Sequence, residues 1–165
     1  MSDRKPQTGP VLYWTYPIGT LGLMDDGEGL SRVFLCREDV RSGAGEGETP
    51  LTLRAATELE EYFAGKRKSF TVPLSPCGTT FQLAVWQALR DIPYGQTRTY
   101  GEIAAAIGRP RAARAVGMAN HDNPLLIFTP CHRVVGKNGS LTGFACGLEV
   151  KRQLLELEQM GGTAL

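Results

Sequence analysis

TYGEIAAAIGRPRAARAVGMA, residues 99–119, decides the architecture of the second half of the chain. Thr99 and Glu102 stand three apart, the spacing at which a hydroxyl and a carboxylate each satisfy a free backbone N–H at the start of a helix. That helix is expected to stop at Gly108. Pro110 lacks an N–H and fits the first turn of the next helix, expected over Pro110 to Ala119. Two short helices about the tight Gly108-Arg109 turn predict a helix-turn-helix. The second of them carries Arg111 and Arg114 among Ala112, Ala113, Ala115, Gly117 and Ala119. Such small residues let another backbone approach closely, that of protein or of nucleic acid. Tight helix packing with solvated arginines accounts for the same pattern.

Upstream, Thr79 or Thr80 caps a helix over Phe81 to Asp91, with Phe81, Val85, Trp86 and Leu89 on one face and Pro93 as the stop. Val72 to Gly78 holds two prolines and a glycine, which places a domain boundary near residue 77 and divides the chain into 1–77 and 78–165. In the first part Val11 to Tyr16, Thr20 to Met24 and Leu30 to Cys36 read as a β meander. Arg41 to Thr49 is a loop, and a helix follows over Leu51 to Ala64, ended by Gly65. Lys66, Arg67 and Lys68 read as a solvated basic knot. In the second part Leu125 to Thr129 reads as a short buried strand, Lys137-Asn138-Gly139 as a hairpin-type turn, and Leu148 to Met160 as the last helix. The fold class is α+β: a small N-terminal α/β domain and a mainly helical C-terminal domain.

The chain has 165 residues, 42% hydrophobic and 21% charged, which suits a folded domain and excludes a disordered tail or a collagen-like fibre. No apolar run approaches the ~20 residues of a membrane helix. The polar start MSDRKPQTGP lacks the apolar core of a secretory signal, so a cytoplasmic location is expected. Eighteen basic residues against 17 acidic ones argue against a polyanion binder until the chain is divided. Residues 1–77 carry a net −2, residues 78–165 a net +3, and Arg98 to Lys137 alone a net +4. Four cysteines, two histidines and no CxxC pair make a structural zinc site improbable. No metal and no cofactor are expected.

A cysteine is a nucleophile only as its thiolate, which needs a base, a cation or a helix N-terminus nearby. Cys131 is followed by His132 and Arg133. Neighbours on a strand point to opposite faces, so a turn or a bridging water has to join thiol and imidazole. The imidazole in turn needs an orienting partner. On the last helix Val150, Leu154, Leu155 and Leu157 define an apolar face. Glu158 projects into that face, whereas Glu149 and Glu156 project away. A carboxylate on a buried face needs a partner, and His132 suits it. The candidate relay runs Cys131, water, His132, Glu158. These residues alone leave a non-catalytic helix-turn-helix regulator and a cysteine hydrolase open as alternatives.

Pro130-Cys131-His132-Arg133-Val134, with Asn123-Pro124, Ala112-Ala113-Arg114-Ala115-Val116-Gly117, Ile92-Pro93-Tyr94-Gly95 and Tyr100-Gly101-Glu102-Ile103-Ala104, closely resembles the O6-alkylguanine-DNA alkyltransferases. The resemblance runs from about Gly78 to Glu158. It implies an N-terminal domain with a ribonuclease H-like sheet and a C-terminal helix-turn-helix domain. It also implies repair by single, irreversible transfer of an alkyl group from O6-alkylguanine, and from O4-alkylthymine, in duplex DNA to a protein cysteine. Cys131 resembles the acceptor, His132 the water-mediated base, Glu158 the carboxylate that orients it, and Asn123 the residue that positions the active-site segment. Tyr100 resembles the residue that crowds the 3′ phosphate and donates a proton to the base, and Arg114 the finger that replaces an extruded nucleotide. Arg111, Ala113 and Gly117 lie on the same DNA-facing helix, and the backbone about Val134 and Ala145 is implied to hold the guanine. The expected partner is damaged double-stranded DNA, bound by a monomer, with cooperative assembly on DNA left open. Phe144-Ala145-Cys146-Gly147 departs from the family's usual Tyr or Phe, Ser or Gly, Gly. Ala145 brings no hydroxyl, and Cys146 narrows the pocket or adds a second thiol.

Overall fold

Three short apolar-rich runs form an antiparallel meander of β1 (Leu12–Tyr16), β2 (Gly19–Asp25) and β3 (Leu30–Leu35), in the order β1-β2-β3. A computed structural model describes residues 9–36, 47–142, 144 and 146–161; most of the expected 41–49 loop therefore lies outside the described residues, as does Ala145. One face of the meander is covered by α1 (Pro50–Phe63), which buries Ala55, Ala56, Leu59, Tyr62 and Phe63. The burial repeats at the three- and four-residue spacing that puts side chains on one helical face. Thr49 and Thr52 form a reciprocal cap at its start. Arg67 is not freely solvated: it pairs with Glu61 at 3.1 Å and lies 3.8 Å from the buried Glu58.

The second half is built on α2 (Thr80–Arg90), α3 (Tyr100–Ala106), α4 (Ala113–His121) and α5 (Leu148–Gln159). The capping boxes expected at Thr79 and at Thr99 both form. Gly108, at φ +76°, closes α3: its N–H reaches Ala105 O and the Arg109 N–H reaches Ala104 O, the paired bonds of a left-handed helix stop. α4 then begins at Ala113, three residues later than expected. Pro110 is spent on a turn instead, in which the Ala112 N–H bonds Arg109 O at 2.9 Å. A fixed proline φ suits the second position of a turn as well as the first turn of a helix. The Trp86 indole N–H locks α2 to α4 through Ala119 O at 2.8 Å.

Residues 125–129 do not form the expected strand. They fold into a buried irregular turn in which Ile127 takes φ +72° and only isolated bridges form, Leu125 to Val33 and Leu126 to Thr129. The Asn123 side chain competes successfully with regular pairing. Its amide donates to Thr129 O at 2.8 Å and its carbonyl accepts from the Leu125 N–H at 3.0 Å. The turn also joins the halves, since the Val33 N–H bonds Pro124 O and the Leu126 N–H bonds Val33 O. Apolar residues from both halves meet in one core. Two residues on each side, β4 (Arg98–Thr99) and β5 (Val134–Val135), pair in parallel and set the head of α3 beside the segment carrying Cys131.

Candidate active site

Cys131, His132 and Arg133 occupy a single 3₁₀ turn rather than a strand, and all three are buried. The turn brings consecutive side chains to one region that an extended chain would have split between two faces. Asn120 donates to Cys131 O at 3.4 Å, and the Cys131 N–H bonds Thr129 O at 2.8 Å. Burial pushes the thiol pKa up to about 12; the nearby Cys146 adds to this, while Asn123 and the Lys151 charge oppose it. At neutral pH Cys131 is therefore a protonated thiol, and its use as a nucleophile requires a base.

An imidazole stands next in the chain. His132 is fully buried, and its Nε2 lies 2.7 Å from Glu158 Oε2. Burial drives the imidazole pKa down; Glu158 pulls the other way, and Arg133 and Lys151 reinforce the burial. The imidazole is neutral, so Nε2 carries the proton that the carboxylate accepts and Nδ1 keeps its lone pair. Nδ1 is buried and has no hydrogen-bond partner among the described residues. With Nε2 on Glu158 and Nδ1 unpartnered, no direct hydrogen bond joins thiol and imidazole.

Glu158 is 3% exposed and heavily bonded. Arg133 Nε donates to Oε1 at 2.7 Å and Nη2 to Oε2 at 3.0 Å, in a bidentate fork, while Arg133 Nη1 holds Ile92 O. The Tyr62 hydroxyl donates to Oε2 at 2.6 Å and the Gly95 N–H to Oε1 at 3.3 Å. Burial opposes the charged carboxylate, but His132 and Arg133 outweigh it and hold the carboxyl well below the usual range. The helical-face assignment of Glu158 thus matches its position, with Leu154 and Leu157 buried beside it. The exposed Glu149 and Glu156 both bind Arg152.

Cys131 opens on a cavity of about 620 Å³ that is lined from both halves, by Arg32 and Phe34 of β3 and by Asn123, Leu126, Phe144 and Cys146 among others. Val134 is fully buried and does not line this cavity; its N–H closes the 3₁₀ turn on Cys131 O. Tyr100 is half-buried at the head of α3, and its hydroxyl lies 3.3 Å from Thr142 O. Gly117 faces the Tyr100 ring, to which an added Cβ would come within 3.9 Å. Arg111 and Arg114 are exposed and Ala113 is half-buried.

Three contributors escape a sequence reading. Arg133 and Tyr62 converge on Glu158, and nothing in their local sequence announces it. Lys151 is fully buried on α5, donates to Thr142 O at 2.9 Å, and has its pKa lowered by burial, with the Cys131 thiol acting in the opposite sense. A signal for it did exist, because it precedes Leu154 by three and Glu158 by seven and so shares their face.

Family models match nearly the whole described chain. The ribonuclease-like domain of 6-O-methylguanine DNA methyltransferase matches residues 12–76, and the DNA binding domain of the same family matches residues 80–160. The chain is 53% identical over 146 residues to a methylated-DNA–protein-cysteine methyltransferase of Methanosarcina acetivorans, covering 86% of this chain and 93% of the relative. To the constitutive methylated-DNA–protein-cysteine methyltransferase of Bacillus subtilis it is 48% identical over 151 residues, covering 87% and 92%. A crystal structure of Mycobacterium tuberculosis OGT in complex with DNA shares the fold with a TM-score of 0.84 at 45% identity, over 93% of this chain and 95% of that one. A buried cysteine, an oriented neutral histidine and these relationships agree: the chain belongs to the methylated-DNA–protein-cysteine methyltransferase family.

Proposed function

We propose that the protein repairs duplex DNA by moving an alkyl group from O6 of guanine, or O4 of thymine, onto Cys131 in one irreversible turnover. The observation that carries this reading is the buried His132, with Nε2 committed to Glu158 and Nδ1 left as a bare acceptor one residue from a buried thiol. Through a bridging water His132 takes the thiol proton. The thiolate then attacks the alkyl carbon in line: the S–C bond forms as the C–O6 bond breaks, and the electron pair stays on the purine. Tyr100 supplies the proton that makes guanine a neutral leaving group. Lys151 and Asn123 favour the thiolate against burial. The product thioether is not readily hydrolysed, so each chain acts once. All the groups named come from one chain, so a monomer is sufficient.

A stacked base cannot reach a buried thiol, so the nucleotide is extruded at a cost of a few kcal/mol. The exposed Arg114 fills the gap, the neighbouring Tyr100 crowds the backbone, and Arg111, Ala113 and Gly117 form the surface that approaches the minor groove. Guanine enters the cavity beside Cys131, and Cys146 limits the size of the alkyl group that it admits.

Incubation with duplex DNA carrying O6-methylguanine, followed by intact-mass measurement and peptide mapping, tests the reading. One methyl per chain on Cys131, and none on Cys131→Ser, is expected. Turnover beyond one equivalent would point instead to a hydrolase, and tight binding to one undamaged sequence without transfer to a regulator.

A further inference from the structure

Glu158 receives more donors than the orientation of one imidazole requires. Oε2 alone accepts from His132 Nε2 at 2.7 Å, from the Tyr62 hydroxyl at 2.6 Å and from Arg133 Nη2 at 3.0 Å. Among the described residues the tyrosine is the one donor from the N-terminal half, 96 residues away along the chain. Its ring is fully buried, set edge-on against Phe63 and Tyr94 and tilted on Phe70, so the hydroxyl has little freedom to swing elsewhere. A buried tyrosine can satisfy its hydroxyl on any carbonyl, as Tyr16 does on Ala56 O. Tyr62 instead uses the oxygen that also holds the imidazole.

We propose that Tyr62 is a positioning residue of the transfer site: by donating to Glu158 Oε2 it restrains the carboxylate and moderates its pull on His132, so that the imidazole stays neutral until the thiol proton arrives. The inference rests on the reading of His132 as the base. A hydrogen-bond donor draws charge from the oxygen it binds, and a carboxylate with less charge on that oxygen stabilises an imidazolium less. The other groups facing His132 are accounted for. Arg133 beside it and Lys151 from α5 disfavour a second positive charge, Glu158 from α5 favours it, and the Cys131 thiol is neutral at rest. Tyr94 reaches it only through Glu158 and Arg133, which lie close to its ring. Tyr62 therefore sets how far Glu158 prevails over the two cations. Its own hydroxyl stays protonated, since burial and then the Glu158 charge raise its pKa.

The test is the single-turnover rate of methyl transfer from an O6-methylguanine duplex, followed against pH for the full chain and for Tyr62→Phe. Phenylalanine keeps the ring packing and removes the donor. The limb of the profile set by His132 protonation is expected to move to higher pH, by about half a unit or more. Replacing Tyr62 by 3-fluorotyrosine, a stronger donor in the same ring, is expected to move the limb the opposite way. A Tyr62→Phe profile superimposable on wild type, whatever its melting temperature, would overturn the inference. If Tyr62→Phe does not fold, an unmoved limb in the fluorotyrosine protein overturns it. His132→Asn separates the two levels: wild-type rate and profile in that variant would overturn the base and the tyrosine role together. A dead His132→Asn beside an unmoved Tyr62→Phe profile would overturn the tyrosine role alone.

Discussion

At Glu158 a single carboxylate balances the Arg133 guanidinium and orients the His132 imidazole, with almost no solvent to help. Replacing it by glutamine keeps the shape and leaves Arg133 as a buried, unpaired cation. Breaking a buried pair in this way costs about 3–5 kcal/mol. Glu158→Gln should therefore lower the melting temperature by roughly 6–20 °C for a chain of this size, measured by calorimetry, and slow methyl transfer as well. His132 titrates in a separate window. Its folded pKa is depressed, so below the ordinary value of 6.5 the unfolded chain binds a proton that the folded chain refuses. Stability should fall as the pH drops below about 6.5, by up to about 1.4 kcal/mol per pH unit. His132→Asn should flatten that slope in melts between pH 7 and 5, and an unchanged slope would contradict the neutral imidazole. The Glu158 contribution is present above the usual carboxylate range and is lost only at still lower pH. Glu158 and His132 were legible in the sequence because helical periodicity exposes a lone acid on an apolar face. Arg133 and Tyr62 were not, because their partner lies 25 and 96 residues away.

On the scale of elements, α3 and α4 show how local chemistry sets boundaries. Gly108 holds φ +76° with nothing within 4 Å of an added Cβ, so Gly108→Ala meets no clash and pays only for the left-handed backbone. About 1 kcal/mol is expected, a drop of roughly 2–4 °C in melting temperature, with transfer to a free O6-substituted guanine unchanged. Arg114 projects from α4 into solvent. Under the proposal that it fills the gap of an extruded nucleotide, it should matter only where there is a stack to open. Arg114→Ala should slow repair of duplex lesions far more than reaction with free O6-benzylguanine, and equal losses on the two substrates would refute the role. The cap at Thr99 and the stop at Gly108 were legible because each uses groups within six residues. The late start of α4 and the irregular 125–129 turn were not. Pro110 satisfies two local solutions equally, and the Asn123 side chain takes backbone partners that a strand would have used.

Over the whole molecule, the two halves share one apolar core and are stitched by backbone bonds between β3 and residues 124–126, and by Tyr62 on Glu158. Among the described residues the buried apolar side chains form a single cluster, so calorimetry should show one unfolding transition with equal calorimetric and van't Hoff enthalpies. Two resolved transitions would show that the halves are energetically independent. By itself the sequence determined the segments: a meander and one helix ahead of residue 77, a capped helical second half and a basic stretch from Arg98 to Lys137, and it singled out Cys131, His132 and Glu158 as candidates. These depend on periodicity, capping and charge, all of which act within a few residues. Only the tertiary structure decided that Cys131 sits on a 3₁₀ turn, that β3 walls its cavity, and that Tyr62 and Arg133 share the carboxylate bound to His132. Those contacts join groups far apart in the chain, and their geometry is set by how two layers pack around a common core.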